Sequence, residues 1–114
     1  MDIESTHTHC LSFPHVTEEV LWENDLVFKI GGKMYAVTPL DPAGLCLSFK
    51  VPEEDFAELC ERDGVIPAPY SARYFWVALE REDAIPVAEV KRLIRQSYDL
   101  VRSKLSKKVQ AELK

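Results

Sequence analysis

No stretch of this chain stays apolar for the roughly 20 residues that a membrane-spanning helix needs. Its first residues, MDIESTHTH, lack the basic and apolar regions of a secretion signal. These two absences together lead us to expect a cytoplasmic protein. Cysteine is scarce: Cys10, Cys46 and Cys60 make an odd count with no CxxC pair. That excludes a disulfide framework and a zinc ribbon, and leaves three buried or idle thiols. Glycine is scarce too, with only four residues. The Gly31-Gly32 pair precedes a strand-like run, so it is a hairpin turn and not a phosphate-cradling loop before a helix. No Ser/His/Asp or Cys/His pattern occurs, and no paired carboxylates come with an evident pocket. We therefore expect no enzymatic activity, no catalytic residue and no cofactor.

Basic residues are thin over most of the chain. Residues 1–90 hold six of the fourteen Lys and Arg and seventeen of the nineteen Asp and Glu, a net charge of −11. Residues 91–114 hold eight basic and two acidic residues, a net charge of +6. A basic segment on an acidic body points to an anionic partner, and it also complements the negative end of a helix dipole.

What is present centres on residues 26–50, which read as three antiparallel strands. A Gly-Gly loop suits a type I′ turn, in which both central residues need φ > 0. Direct pairing across it sets Ile30 opposite Lys33, Phe28 opposite Tyr35 and Leu26 opposite Val37. Alternation then gives a core face of Leu26, Phe28, Ile30, Tyr35 and Val37, and a mixed face of Val27, Lys29, Met34, Ala36 and Thr38. A turn is expected over residues 39–44, with two prolines and a glycine. In the third strand Leu45, Leu47 and Phe49 share one apolar face.

The flanks supply helices and further strands. Residues 2–12 carry helical spacing and Pro14 ends the run. Residues 18–23 read as a strand, followed by an Asn24-Asp25 turn. Pro52 followed by Glu53, Glu54 and Asp55 starts a helix that runs to about Arg62, with Phe56, Leu59 and Cys60 inward and Gly64 ending it. Val65-Ile66 and residues 74–79 are extended, and Trp76 is expected to bury against the last helix. That helix, about 87–107, keeps Val90, Leu93, Ile94, Tyr98, Val101 and Leu105 on one stripe. Residues beyond it are expected to fray. The fold class is α+β: one domain, a two-layer sandwich with one antiparallel sheet packed against helices, in the order helix, strands, helix, strands, helix.

The order L-V-F-K-I-G-G-K-M-Y-A (26–36), L-C-L-S-F-K (45–50), P-E (52–53), V-I-P-A-P-Y (65–70), Trp76 and S-Y-x-L-V-x-x-K-L (97–105), with F-P-H at 13–15, resembles the MmcQ/YjbR family of small bacterial proteins. The resemblance spans about residues 10–107. It implies a fold related to frataxin-like and secretion-chaperone-like domains, and DNA binding through a double wing of β-hairpins. A monomer is expected. For such contact the candidate cations are Lys29, Lys33, Lys50, Arg73, Lys91, Arg92 and Arg95. Tyr35, Tyr70, Tyr74 and Trp76 are the aromatics available to stack on bases. The acidic body opposes this, because duplex affinity comes largely from phosphate neutralisation. Core aromatics and solvated lysines explain the same residues. The expected contact is thus weak, non-specific and electrostatic.

Two other readings compete. A protein-interaction or chaperone-like module fits the acidic surface and small size. An exposed apolar groove would favour it, and a contiguous basic strip would favour nucleic acid. An iron-binding protein, by analogy with frataxin, would use Glu53, Glu54, Asp55, Glu58 and Glu61 with Glu18, Glu19 and Glu23, although the helix dipole already accounts for acids in a first turn. His7, His9, Cys10 and His15 lack zinc-ligand spacing, so no metal site is expected.

Overall fold

The computed structural model describes residues 1–40, 45–69 and 71–113. The expected 39–44 turn thus lies largely outside the described residues, as does Tyr70. Four helices and six strands follow one another: α1 (Ile3–Leu11), β1 (Val16–Leu21), β2 (Asp25–Ile30), β3 (Lys33–Pro39), β4 (Leu47–Lys50), α2 (Glu53–Cys60), β5 (Val65–Pro67), β6 (Trp76–Leu79), α3 (Val87–Ser103) and α4 (Lys107–Glu112). One antiparallel sheet orders them β1-β2-β3-β4-β6-β5. The α+β reading holds, and none of the described helices is long and apolar enough to cross a membrane.

Local chemistry explains the helix starts. Asp2 caps α1, its carboxylate accepting the Ser5 N–H at 2.8 Å, which holds the acid below its usual range. Pro52 and Pro86 precede α2 and α3 with extended backbone. Ser106 caps α4, its hydroxyl accepting the Val109 N–H. Residues 107–112 therefore form a separate short helix where frayed chain was expected.

The three longer helices cover one sheet face. The α3 stripe Val90, Leu93, Ile94, Tyr98, Val101 and Leu105 is buried as read from the sequence. It meets Phe28, Ile30, Tyr35, Leu47, Phe49, Val77 and Leu79 from the strands. The Tyr35 and Tyr98 rings cross edge to face, with centroids 5.4 Å apart, and both hydroxyls are satisfied. Tyr35 donates to the Cys10 carbonyl at 3.0 Å and Tyr98 to the Pro14 carbonyl at 2.6 Å.

The hairpin departs from the expected register for a definable reason. Gly31 and Gly32 have φ of 58° and 82°, as a type I′ turn requires, and Ile30 faces Lys33. Beyond Lys29↔Met34 the pairing shifts, so Phe28 faces Ala36, Val27 faces Val37 and Leu26 faces Thr38. A bulge adds one residue to a strand and reverses every later side chain. Tyr35 and Ala36 thus both join the helix-side core, buried Thr38 follows them, and Val37 moves to the opposite face. Ser97 of α3 repairs the ladder at this point. Its buried hydroxyl donates to the Tyr35 carbonyl at 2.6 Å and accepts the Lys50 N–H at 2.9 Å.

Two further expectations are corrected on the second face. Trp76 is buried, but against Ala68 and Ala78 and not against α3. Its neighbour Val77 pairs with Phe49 of the helix-side core, so alternation sends Trp76 the other way. Leu45 precedes β4 and packs with this second cluster, apart from Leu47 and Phe49.

Candidate functional site

The structure disperses most of the candidate cations. Lys29 is ion-paired with Glu19 on the neighbouring strand. Arg92 lies 3.7 Å from Glu89 and Arg95 lies 3.3 Å from Asp99. Arg95 also covers the Phe13 and Tyr98 rings, 5.1 Å from each centroid, which seals the helix-side core. Arg73 stacks over Tyr74 at 4.8 Å. The Lys50 ammonium donates to the Tyr74 carbonyl at 3.0 Å, and its pKa is lowered by burial and by Lys104. Lys91 is exposed, with its carbonyl bonded to the His9 ring. Of the proposed stacking aromatics among the described residues, Tyr35 and Trp76 are buried and Tyr74 is exposed.

The exposed lysines gather elsewhere. A Cβ on Gly31 would lie 2.6 Å from Leu105 and 3.0 Å from Val109, so the β2–β3 tip rests on the corner between α3 and α4. Lys33 at that tip therefore joins Lys104, Lys107 and Lys108, all exposed and in no ion pair among the described residues. Lys91 stands thirteen residues before Lys104 on the chain, about 20 Å away along a helix. The last three lysines of this corner lie outside the candidate set. Sequence reasoning missed them because it expected frayed chain past Lys107 and could not see the tip that docks there.

The acidic and histidine readings find other partners. The Glu18 carboxylate meets the His7 ring at 2.7 Å, and Glu89 is held below its usual range chiefly by hydrogen bonding from Arg62. Among the described residues no three His, Cys, Asp or Glu side chains converge as metal ligands would. Burial pushes the Cys10 thiol up to about 12, and it also raises Cys46 and Cys60. Such thiols are poor nucleophiles near neutral pH.

The feature sequence reasoning missed is a cavity on the sheet face opposite the helices. It measures about 610 Å³. Met34, Val37, Leu45 and Trp76 supply apolar surface, Ala68 and Pro69 come from the β5–β6 connection, Trp22 from the β1–β2 turn and Asp25 from the start of β2. Ser48 and Ser71 contribute hydroxyls. The bulge helps build it by delivering Val37 to this face. Trp22 is 65% exposed, unusual for the largest side chain. It stands at φ 51°, followed by Glu23 at φ 72°. Left-handed backbone is strained for both residue types, by about 1–2 kcal/mol each. The Leu40 N–H bonds the Asn24 carbonyl at 2.7 Å and ties this turn to the end of β3. The only sequence signal was an indole placed just before a turn.

The YjbR family model matches residues 11–100. A crystal structure from Deinococcus radiodurans, of a protein with the DUF419 domain, is 28% identical with a TM-score of 0.86. The match covers 98% of this chain and 87% of that one. A Pseudomonas syringae protein shares the fold, with a TM-score of 0.72 at 20% identity, over 89% of this chain and 99% of the other. No curated protein matches.

Proposed function

The chain belongs to the YjbR family, and on that premise we propose that it is a non-enzymatic binding module whose ligand seats in the open-face cavity. The observation that carries this reading is Trp22, an exposed indole held over an apolar cavity by a left-handed turn. Strained backbone and exposed aromatic surface concentrate where proteins bind other molecules. A cavity of about 610 Å³ falls within the range of small-molecule sites, roughly 300–1,000 Å³. A stable protein interface instead needs roughly 800 Å² from each partner, so size favours a small ligand over a protein. The described lining residues include no His, Cys or Lys, which supports binding without chemistry. Nile red, a neutral apolar dye, should bind the native protein at one site with blue-shifted emission. Trp22→Ala should weaken that binding without loss of fold. Equal binding by both proteins would reject the cavity.

The lysine corner favours a second reading, weak nucleic-acid contact. Lys33, Lys104, Lys107 and Lys108 replace most of the cations proposed from sequence. With about four phosphates neutralised, log affinity should fall with log salt at a slope of about −3 to −4. A titration of two unrelated duplexes at two salt concentrations tests this. Sequence-selective binding that survives physiological salt would contradict it, because phosphate contacts carry no sequence information.

A further inference from the structure

We infer that the cavity ligand is a small organic cation: an aromatic or otherwise apolar body carrying an amine that reaches the Asp25 carboxylate between two indoles. This deepens the cavity reading and rests on it. Three observations point the same way.

First, Asp25 is the one ionisable side chain among the described lining residues, and no Lys, Arg or His lines the cavity with it. It is half-buried and takes part in no ion pair or side-chain hydrogen bond among the described residues. A carboxylate at the edge of apolar surface leaves its acceptor capacity to water or to a ligand. Second, both tryptophans of the chain, Trp22 and Trp76, line this cavity. The indole face carries the strongest π-attraction for a cation of any side chain. Third, the two cations paired across the ladder with lining residues are both engaged elsewhere. Lys29, opposite Met34, has Glu19 as its partner, and Lys50, opposite Trp76, donates its ammonium to the Tyr74 carbonyl.

The electrostatics therefore reject an anion and reward a cation, while Met34, Val37 and Leu45 reward an apolar body. An amine salt-bridged to Asp25 places its carbon skeleton over the apolar floor. Ser48 and Ser71 offer hydroxyls to further polar groups of the same ligand.

Both tryptophans report on the site, so intrinsic emission of the full-length protein reads occupancy directly. The probes are 2-phenylethylamine, 2-phenylethanol and 3-phenylpropanoate, which share an apolar body and differ in charge. The amine should bind about tenfold more tightly than the alcohol, and the carboxylate should bind most weakly. Asp25→Asn should remove most of the amine's advantage, leaving only what the indole faces supply, and leave the alcohol unchanged. Equal binding of all three probes by the wild-type protein would overturn the cation assignment and leave the cavity reading standing. Tightest binding of the carboxylate would overturn it as well. Unchanged emission with every probe up to millimolar concentration would remove both. The wild-type comparison decides the matter even if the variant fails to fold.

Discussion

Replacing Ser97 by alanine deletes one oxygen and orphans two backbone groups. The Ser97 hydroxyl is fully buried, donates to the Tyr35 carbonyl at 2.6 Å and accepts the Lys50 N–H at 2.9 Å. β3 and β4 do not close this stretch of ladder themselves, since their pairing stops at Ala36↔Phe49. A buried polar group left unmade costs about 1–3 kcal/mol. Two such groups, offset by alanine's better helix propensity of about 0.5 kcal/mol, give a net loss of about 3 kcal/mol. At this chain length about 1 kcal/mol moves Tm by about 4 °C, so Tm should fall by about 12 °C. Urea unfolding followed by circular dichroism measures the loss. Ser103→Ala is the control, because its exposed hydroxyl merely bonds the Leu100 carbonyl one turn back, and its cost should stay within about 0.5 kcal/mol. Hydrogen exchange at the Lys50 amide should accelerate in Ser97→Ala alone. A loss below about 1 kcal/mol with unchanged exchange would refute the idea that α3 completes the sheet.

Other outcomes follow from the same geometry. Gly31→Ala should destabilise more than Gly32→Ala in thermal melts. Both need a left-handed residue, but a Cβ at Gly31 strikes Leu105 at 2.6 Å whereas one at Gly32 meets open space; equal losses would mean the tip does not dock on the α3–α4 corner. Hydrogen bonding from Arg62 lowers the Glu89 pKa from 4.5, so this pair's stabilisation is present above about pH 4.5 and is lost as pH falls through the folded value. Glu89→Gln should therefore cost under about 1 kcal/mol at pH 7 and nothing in strong acid, and a cost that grows on acidification would contradict the pairing. Cys10, buried and pushed up to about 12, should resist a thiol reagent at pH 8 that modifies the unfolded chain; rapid native labelling would show that the α1–sheet contact opens.

Much of this architecture was legible because local chemistry and tertiary packing agree. The α3 stripe, the Pro-acid start of α2 and the Gly-Gly turn each carry their own signal. The sheet faces were not legible, because one bulged residue at Tyr35 reversed Ala36, Val37 and Thr38 at no visible cost in pattern. Trp76 was misplaced for a related reason. Its run is apolar at every position, so alternation gives no face until the partner strand is known. The cavity needed both corrections, since Val37 and Trp76 line it. The dispersal of the cation set was only partly legible: Asp99 stands four residues after Arg95 on α3, but Glu19 comes beside Lys29 only once β1 pairs with β2.

The most direct test reads the two indole N–H resonances of the labelled full-length protein, one from Trp22 and one from Trp76, during titration with 2-phenylethylamine. Our account predicts that both move together and saturate, while the amides of Lys33, Lys104, Lys107 and Lys108 stay still. If both indoles stay still while those lysine amides shift with duplex DNA, the cavity is not the binding site and the lysine corner is.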